Sequence, residues 1–289
     1  MTGRLDIVAT PIGNLQDASP RMRESLAAAD VVVVEDTRHS GRLLSQFGIK
    51  KPLFVLHEHN EQDVVETLLD KLRAGERIAL ICDAGTPAIS DPGFRLVRAA
   101  RAGGLQVSPV PGPSAVIAAL SAGGLPTDRF AFEGFLPAKA SARATRLQAL
   151  ATEPRTLVFY ESVHRVEDML IACSDILGAE RPAVIARELT KMHEQIVSGD
   201  LASLRHALAT GEIPLKGEFV VLIGGGTRDA DLVSVSAEQL LAALLAESVP
   251  LRQAARAVAA VSGYSRNALY QAGLSLQSSV VHDEDATST

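Results

Sequence analysis

At 289 residues the chain is long for one core, because cores stop growing near roughly 250 to 300 residues, and two α/β domains are expected before any appendage. Its 47% hydrophobic content holds no apolar run near the roughly 20 residues that cross a bilayer, and MTGRLDIVATPIG lacks the build of a secretory signal, so neither membrane nor export is expected and the cytoplasm is the expected compartment. A net charge of -6 argues against blanket adsorption to nucleic acid, and the isolated Cys82 and Cys173 form neither a disulfide framework nor a zinc spacing, so no metal is expected.

In chain order, Leu5 to Ala9, Val31 to Glu35, Ile78 to Cys82 and Gln106 to Val110 are short apolar runs separated by stretches of helical spacing, a βαβ rhythm. Runs such as VVVV suit strands covered on both faces, as parallel strands are. Ser19-Pro20 and Asp91-Pro92 each put a capping residue before a proline, predicting helix starts, the second helix ending at Gly103-Gly104. A further helix, AVIAALSAGG, follows Ser114. The stretch from Thr127 to Pro154 breaks the rhythm and marks the domain junction. Beyond it TLVFYES, AVIARELT and EFVVLIGGG read as strands of a second α/β unit. Ser236 and Gln239 are spaced as a capping box before a stripe of Leu240, Leu241, Leu244 and Leu245, and two short helices follow. Residues 283–289 read as a polar, disordered tail. The expected domains are 1–126, 127–230 and a helical 235–282.

Ligands of open α/β sheets bind beyond the carboxyl ends of the strands, where TPIGN, EDTRHS, CDAGTP and PGPSA all fall. Gly85 and Gly93 allow close approach to main chain, while Pro87 and Pro92 fix φ, so the loop presents its N–H and C=O groups at little ordering cost. Tight strand-to-helix turns would use the same residues, but two such loops in one domain favour a ligand. There is no G-x-G-x-x-G after the first strand and no Walker sequence, so a dinucleotide or triphosphate is not indicated.

LDIVATPIGNLQDAS, VVVVEDTRHSGRLL, HEHNE, CDAGTPAISDPG, PVPGPSAVIAAL, GFLPAK, FYESVHR, RELTKMHE and GEFVVLIG, in this order, resemble the ribosomal RNA small-subunit methyltransferase I family over the chain to Gly226. SRNALYQAGL is similar to that family's helical appendage. The resemblance implies the tetrapyrrole methylase fold of two α/β domains with S-adenosylmethionine between them, usually as a homodimer, and 2′-O-methylation of a cytidine in 16S ribosomal RNA, free or in the small subunit. It further implies cofactor contacts at Pro11, Ile12, Ala84, Gly85, Thr86, Ile89, Ser114, Ala115, Tyr160, Leu189 and Glu218. Thr86 stands where the wider group has Asp. Ile89 and Leu189 fit core packing as well.

Methyl transfer to a ribose hydroxyl needs a proton acceptor, and Lys191 and Asp36 rank first among Asp36, His39, Glu161, Lys191 and Glu194. A lysine could act as a base if desolvated, or stay charged and hold a phosphate. Each also fits a surface ion pair. His57 and His59 are expected to face substrate or an interface. RNA backbone is expected on a basic rim of Arg21, Arg38, Arg42, Lys139 and Arg143, with Arg23 and Arg146 nearby, and on Arg266 of a helix-turn-helix-like appendage capped by Ser265. Two other functions stay open: a methyltransferase acting on a tetrapyrrole such as a precorrin, and a non-enzymatic helix-turn-helix regulator with an α/β sensing part.

Overall fold

The computed structural model describes residues 3–57, 60–226 and 236–284, and the chain divides into two compact units, Met1–Thr227 and Arg228–Thr289. In the first, strands β1 (Arg4–Val8), β2 (Val31–Val34), β3 (Leu53–Val55), β4 (Arg77–Leu80) and β5 (Gln106–Val110) form a parallel sheet in the order β3-β2-β4-β1-β5. The carboxyl ends of β5, β1, β4 and β2 therefore lie side by side, and the four Gly/Pro-rich and acidic loops share one edge. Alternation along the strands fills two layers. Ile78, Leu80 and Val33 pack with α3 (Glu61–Arg73) and α4 (Phe94–Ala102), whereas Ala79, Ile81, Val32 and Val34 pack with α1 (Pro20–Ala28) and α2 (Thr37–Gln46).

The predicted start of α1 is observed: Ser19 Oγ accepts from Met22 N at 3.0 Å, with Pro20 at the first helical position. The predicted start at Asp91-Pro92 is corrected. Helix α4 begins at Phe94, and its free amides are capped from another helix, where Glu61 Oε1 accepts from Gly93, Arg95 and Leu96 N at 3.1, 2.8 and 3.3 Å. One buried carboxylate thus does what the local Asp was expected to do, and Asp91 is released for another use.

The second sheet, β6 (Phe130–Phe135), β7 (Thr156–Ser162), β8 (Pro182–Arg187), β9 (Gln195–Asp200) and β10 (Glu218–Ile223), has the order β6-β7-β10-β8-β9, parallel at β6·β7 and antiparallel elsewhere. Phe159, Ile185 and Val221 face α6 (Ala140–Leu150), α7 (Val166–Leu177) and α8 (Leu201–Ala209). Val158, Val184 and Leu222 face α5 (Ala115–Gly123), the helix that follows β5 of the first sheet. The approach is close: a Cβ on Gly123 would stand 2.6 Å from Leu222 Cδ1. By lending α5 to the second sheet, the first half of the sequence joins both sheets into one compact unit.

In the second unit α9 (Ala237–Ala246), α10 (Leu251–Ser262) and α11 (Arg266–Glu284) pack around Leu241, Ala254, Ala255, Val258 and Leu269. The capping box of Ser236 and Gln239 is present, and Ser265 Oγ accepts from Ala268 N at the start of α11. Helix α11 runs two residues into the expected tail, of which 285–289 lie outside the described residues. Among the described residues no helix is long and apolar enough to cross a membrane.

Candidate active site

The loops after β1, β4 and β5 are joined through their main chains. Thr10 N donates to Gly85 O at 2.8 Å and Gly85 N to Thr10 O at 3.1 Å, while Ala9 N donates to Val110 O. Thr86 Oγ1 donates to Pro113 O at 3.1 Å, and Gly85 takes the left-handed conformation the turn needs at φ 85°. Together with the ends of β7, β8 and β10 they enclose a cleft of about 330 Å³, a size usual for a small-molecule site.

Ile12, Ala84, Gly85, Thr86 and Ile89 line the cleft from the first sheet, Ser114 and Ala115 from the start of α5, and Tyr160, Leu189 and Glu218 from the second sheet. Pro11 is buried and does not line it. Ser114 makes no side-chain cap, and the positive end of α5 faces the cleft with the Val116 amide donating to Tyr160. Ile89 and Leu189 share a backbone signature. Ala88 and Ser90 flank the one with φ 66° and 62°, Glu188 and Thr190 the other with φ 50° and 67°. Non-glycine residues in this region cost on the order of 1 kcal/mol each and persist where the surroundings over-determine them. Two such pairs aimed at one cavity mark it as a functional site.

Sequence reasoning missed Asp83, Ser90, Asp91 and Phe135, which also line the cleft. Asp91 was read only as a helix cap, and Asp83 was not singled out. Burial, then the charges of Asp83 and Asp91, raise Glu35 above its ordinary value; burial, and further down the charge of Asp83, raises Asp91. The carboxyl edge of the sheet is therefore an acidic wall, suited to a cation. Among the described residues no group of His, Cys, Asp and Glu is arranged to hold a metal.

The two foremost base candidates have other partners. Asp36 caps α2, accepting from Arg38 N at 2.7 Å, and that hydrogen bond holds its carboxyl below the ordinary value; it does not line the cleft. Burial pulls Lys191 down, but Glu188 and Glu218, each 2.8 Å from Nζ, outweigh it and leave the ammonium above its ordinary value. Glu194 Oε2 accepts from Thr190 N at 2.6 Å and holds that turn. Glu161 lines the cleft next to Tyr160, but its carboxylate is engaged: Oε1 accepts from Ser162 N, and Arg165 stands 3.3 Å from Oε2 without hydrogen-bond alignment. His57 opens α3, exchanging bonds with Asn60, His39 is exposed on α2, and His59 lies outside the described residues.

Arg21, Arg38, Arg42, Lys139 and Arg266 are exposed. Arg143 is corrected: it is 8% exposed, turned inward with Asp168 at 3.9 Å, because α6 presents that face to α7. Arg23 lies over the Phe47 ring and Arg146 pairs with Glu133.

Residues 4–205 match the family model of Tetrapyrrole (Corrin/Porphyrin) Methylases, and residues 231–277 that of the RsmI C-terminal HTH domain. Among solved structures the fold is similar to that of the methyltransferase CobJ (21% identity, TM-score 0.58, 78% of this chain and 95% of that one). It is likewise similar to uroporphyrin-III C-methyl transferase from Thermus thermophilus complexed with S-adenyl homocysteine (20% identity, TM-score 0.53, 77% and 97%). Curated relatives named ribosomal RNA small subunit methyltransferase I are 52% identical in Xylella fastidiosa, over 93% of this chain and 98% of the relative, and 52% identical in Pasteurella multocida, over 95% and 98%. With both units matched and half of the aligned residues identical from end to end, the chain belongs to the ribosomal RNA small subunit methyltransferase I family of tetrapyrrole methylases.

Proposed function

We propose that the protein methylates the 2′-hydroxyl of a cytidine in 16S ribosomal RNA, taking the methyl group from S-adenosylmethionine. The observation that carries this reading is the cleft between the two sheets, built from the main chain of three tied loops and walled on one side by carboxylates, in a chain of this family. Its chemistry fits the donor: the positive end of α5 suits a carboxylate, Gly85 admits close contact with backbone, and the acidic wall suits a sulfonium. Bound there, S-adenosylmethionine supplies a methyl group already activated for displacement. The protein's residues then have to orient the ribose and accept its proton.

Asp83 is the acceptor this reading selects. It lines the cleft, and its Oδ1 is buried with no hydrogen-bond partner. Lys191, held cationic by two carboxylates, instead fixes the loop that carries Leu189. The exposed Arg21, Arg38, Arg42 and Lys139, with Arg266 of the second unit, are assigned to RNA phosphates. The exposed Ile117 and Phe130 support a homodimer, and a ribosomal RNA substrate supports a cytoplasmic location.

The test is incubation of the purified chain with methyl-labelled S-adenosylmethionine and, separately, small ribosomal subunits, naked ribosomal RNA and a tetrapyrrole. Label in an RNA dinucleotide that resists alkaline hydrolysis is expected, because a 2′-O-methyl group blocks cleavage at that linkage. Label in the tetrapyrrole alone would make the protein a tetrapyrrole methyltransferase, and duplex DNA binding without transfer would make it a regulator.

A further inference from the structure

We infer that Phe135 and Asp91 form the seat of the target nucleobase, the ring stacking on the base and the carboxylate accepting from an exocyclic amino group. The inference rests on the RNA methylation proposed above.

A ribose hydroxyl reaches an enclosed cleft only when its nucleotide leaves the stack, and an extruded base regains stacking on an aromatic side chain. Three aromatic residues line the cleft: Phe135, Tyr160 and Phe219. Phe219 is buried at 2% exposure, and Tyr160 is packed edge-on against Phe132 at 5.0 Å. Phe135 is 53% exposed, touching Tyr160 on one side at 5.8 Å between ring centroids. Its position follows from a break in β6. The register with β7 shifts between Phe132 and Gly134, Gly134 takes φ 64°, and the strand turns its last side chain toward the cleft.

The same glycine brings the end of β6 to Ser90, the chain neighbour of Asp91, and Phe135 and Asp91 line the same cleft. A Cβ on Gly134 would lie 3.1 Å from Ser90 Oγ, so the end of β6 rests on Ser90. Asp91 lines the cleft, hydrogen-bonded to the Cys82 thiol and not tied to the start of α4, because Glu61 has taken over that capping. Its charge reaches Tyr160, the neighbour of Phe135. A stacking surface beside a carboxylate selects a planar base bearing an amino donor: cytosine offers N4–H₂ to the carboxylate, whereas uracil offers O4, a second acceptor that the carboxylate repels. Adenine of the cofactor has the same chemistry, and the experiment separates the two sources.

The full chain is assayed on small ribosomal subunits whose target nucleotide, identified with the wild-type protein, is cytidine or is changed to uridine. Affinity for S-adenosylhomocysteine is measured in parallel by calorimetry. Phe135→Ala is expected to raise KM for the subunit on the order of ten- to a hundredfold, Phe135→Tyr to restore it to within a fewfold, and both to keep the S-adenosylhomocysteine affinity. Phe135→Leu, which keeps apolar bulk without a π face, should raise KM as the alanine variant does, and recovery by leucine would assign the alanine effect to a loosened edge strand and overturn the stacking. Asp91→Asn, able to donate as well as accept, should cut the preference for cytidine over uridine by about tenfold. Unchanged KM in both Phe135→Ala and Phe135→Leu, an unchanged base preference in Asp91→Asn, or a parallel loss of S-adenosylhomocysteine affinity would overturn the inference while leaving the methylation reading intact. Absence of RNA methylation by the wild-type protein would sink both.

Discussion

Gly13 and Lys191 touch: a Cβ on residue 13 would stand 2.4 Å from Lys191 Cγ and 3.1 Å from Thr190 Oγ1. The loop after β1 and the loop after β8 are thus packed stem against backbone. Lys191 has little freedom there, because Nζ is tied to Glu188 and Glu218. Gly13→Ala is expected to push the lysine stem aside, break both ion pairs and move Leu189, weakening S-adenosylhomocysteine binding by about tenfold in calorimetry, roughly 1.4 kcal/mol. The melting temperature should change little, since residue 13 is exposed and no core side chain is displaced. Unaltered affinity would separate the loop contact from the cofactor site.

Lys191 and Asp83 can be told apart by kinetics. Lys191→Arg keeps the cation and should retain most of kcat, whereas a base role would make arginine, which stays protonated, inactive. Asp83→Asn should lower kcat by about 10² to 10⁴ while leaving cofactor affinity within a fewfold. The reverse pattern in a pre-steady-state methyl-transfer assay would return the proton to the lysine.

Glu61 caps α4 from α3 through one buried oxygen. Glu61→Ala should cost about 2 kcal/mol in urea unfolding, because three amides lose their acceptor at once. Glu61→Gln, which keeps an acceptor oxygen, should lose less. Equal loss in both variants would point to charge rather than to the hydrogen bonds.

Burial holds Glu161 above the ordinary 4.5, against the opposing pull of the Ser162 amide and the charges of Arg165 and Arg143. The folded state therefore favours the protonated acid. The stability this group contributes is fully present below pH 4.5 and is lost as pH rises through the higher folded value. Glu161→Gln, neutral throughout, should melt higher than the wild type at neutral pH, and the gap should close on acidification toward 4.5. A gap of constant size across pH would mean that lost contacts, not ionisation, set the difference.

The layered first sheet was legible because VVVV and the run ending in Cys82 are short, largely β-branched and apolar at every position, as strands covered on both faces are. Strands β3 and β9 were not, since LFV is too short to show a pattern and QIVSGD is half polar. That Ile12, Gly85 and Ser114 line the cleft was readable because strand-end loops with Gly and Pro carry a local signal and a family resemblance. Arg143 was misplaced because a basic residue on a helix gives no sign of which face meets a neighbouring helix.

Local spacing and backbone preference were enough to read the strands other than β3, β6 and β9, the helix caps at Ser19, Ser236 and Ser265, and the loops that would carry chemistry. Tertiary structure alone decided that Glu61 caps α4 and releases Asp91, that Lys191 is a fixed cation against Gly13, and that Phe135 stands open beside the acidic wall. Each depends on which distant side chain arrives to share a hydrogen bond or a charge, and a partner tens of residues away leaves no mark on local periodicity.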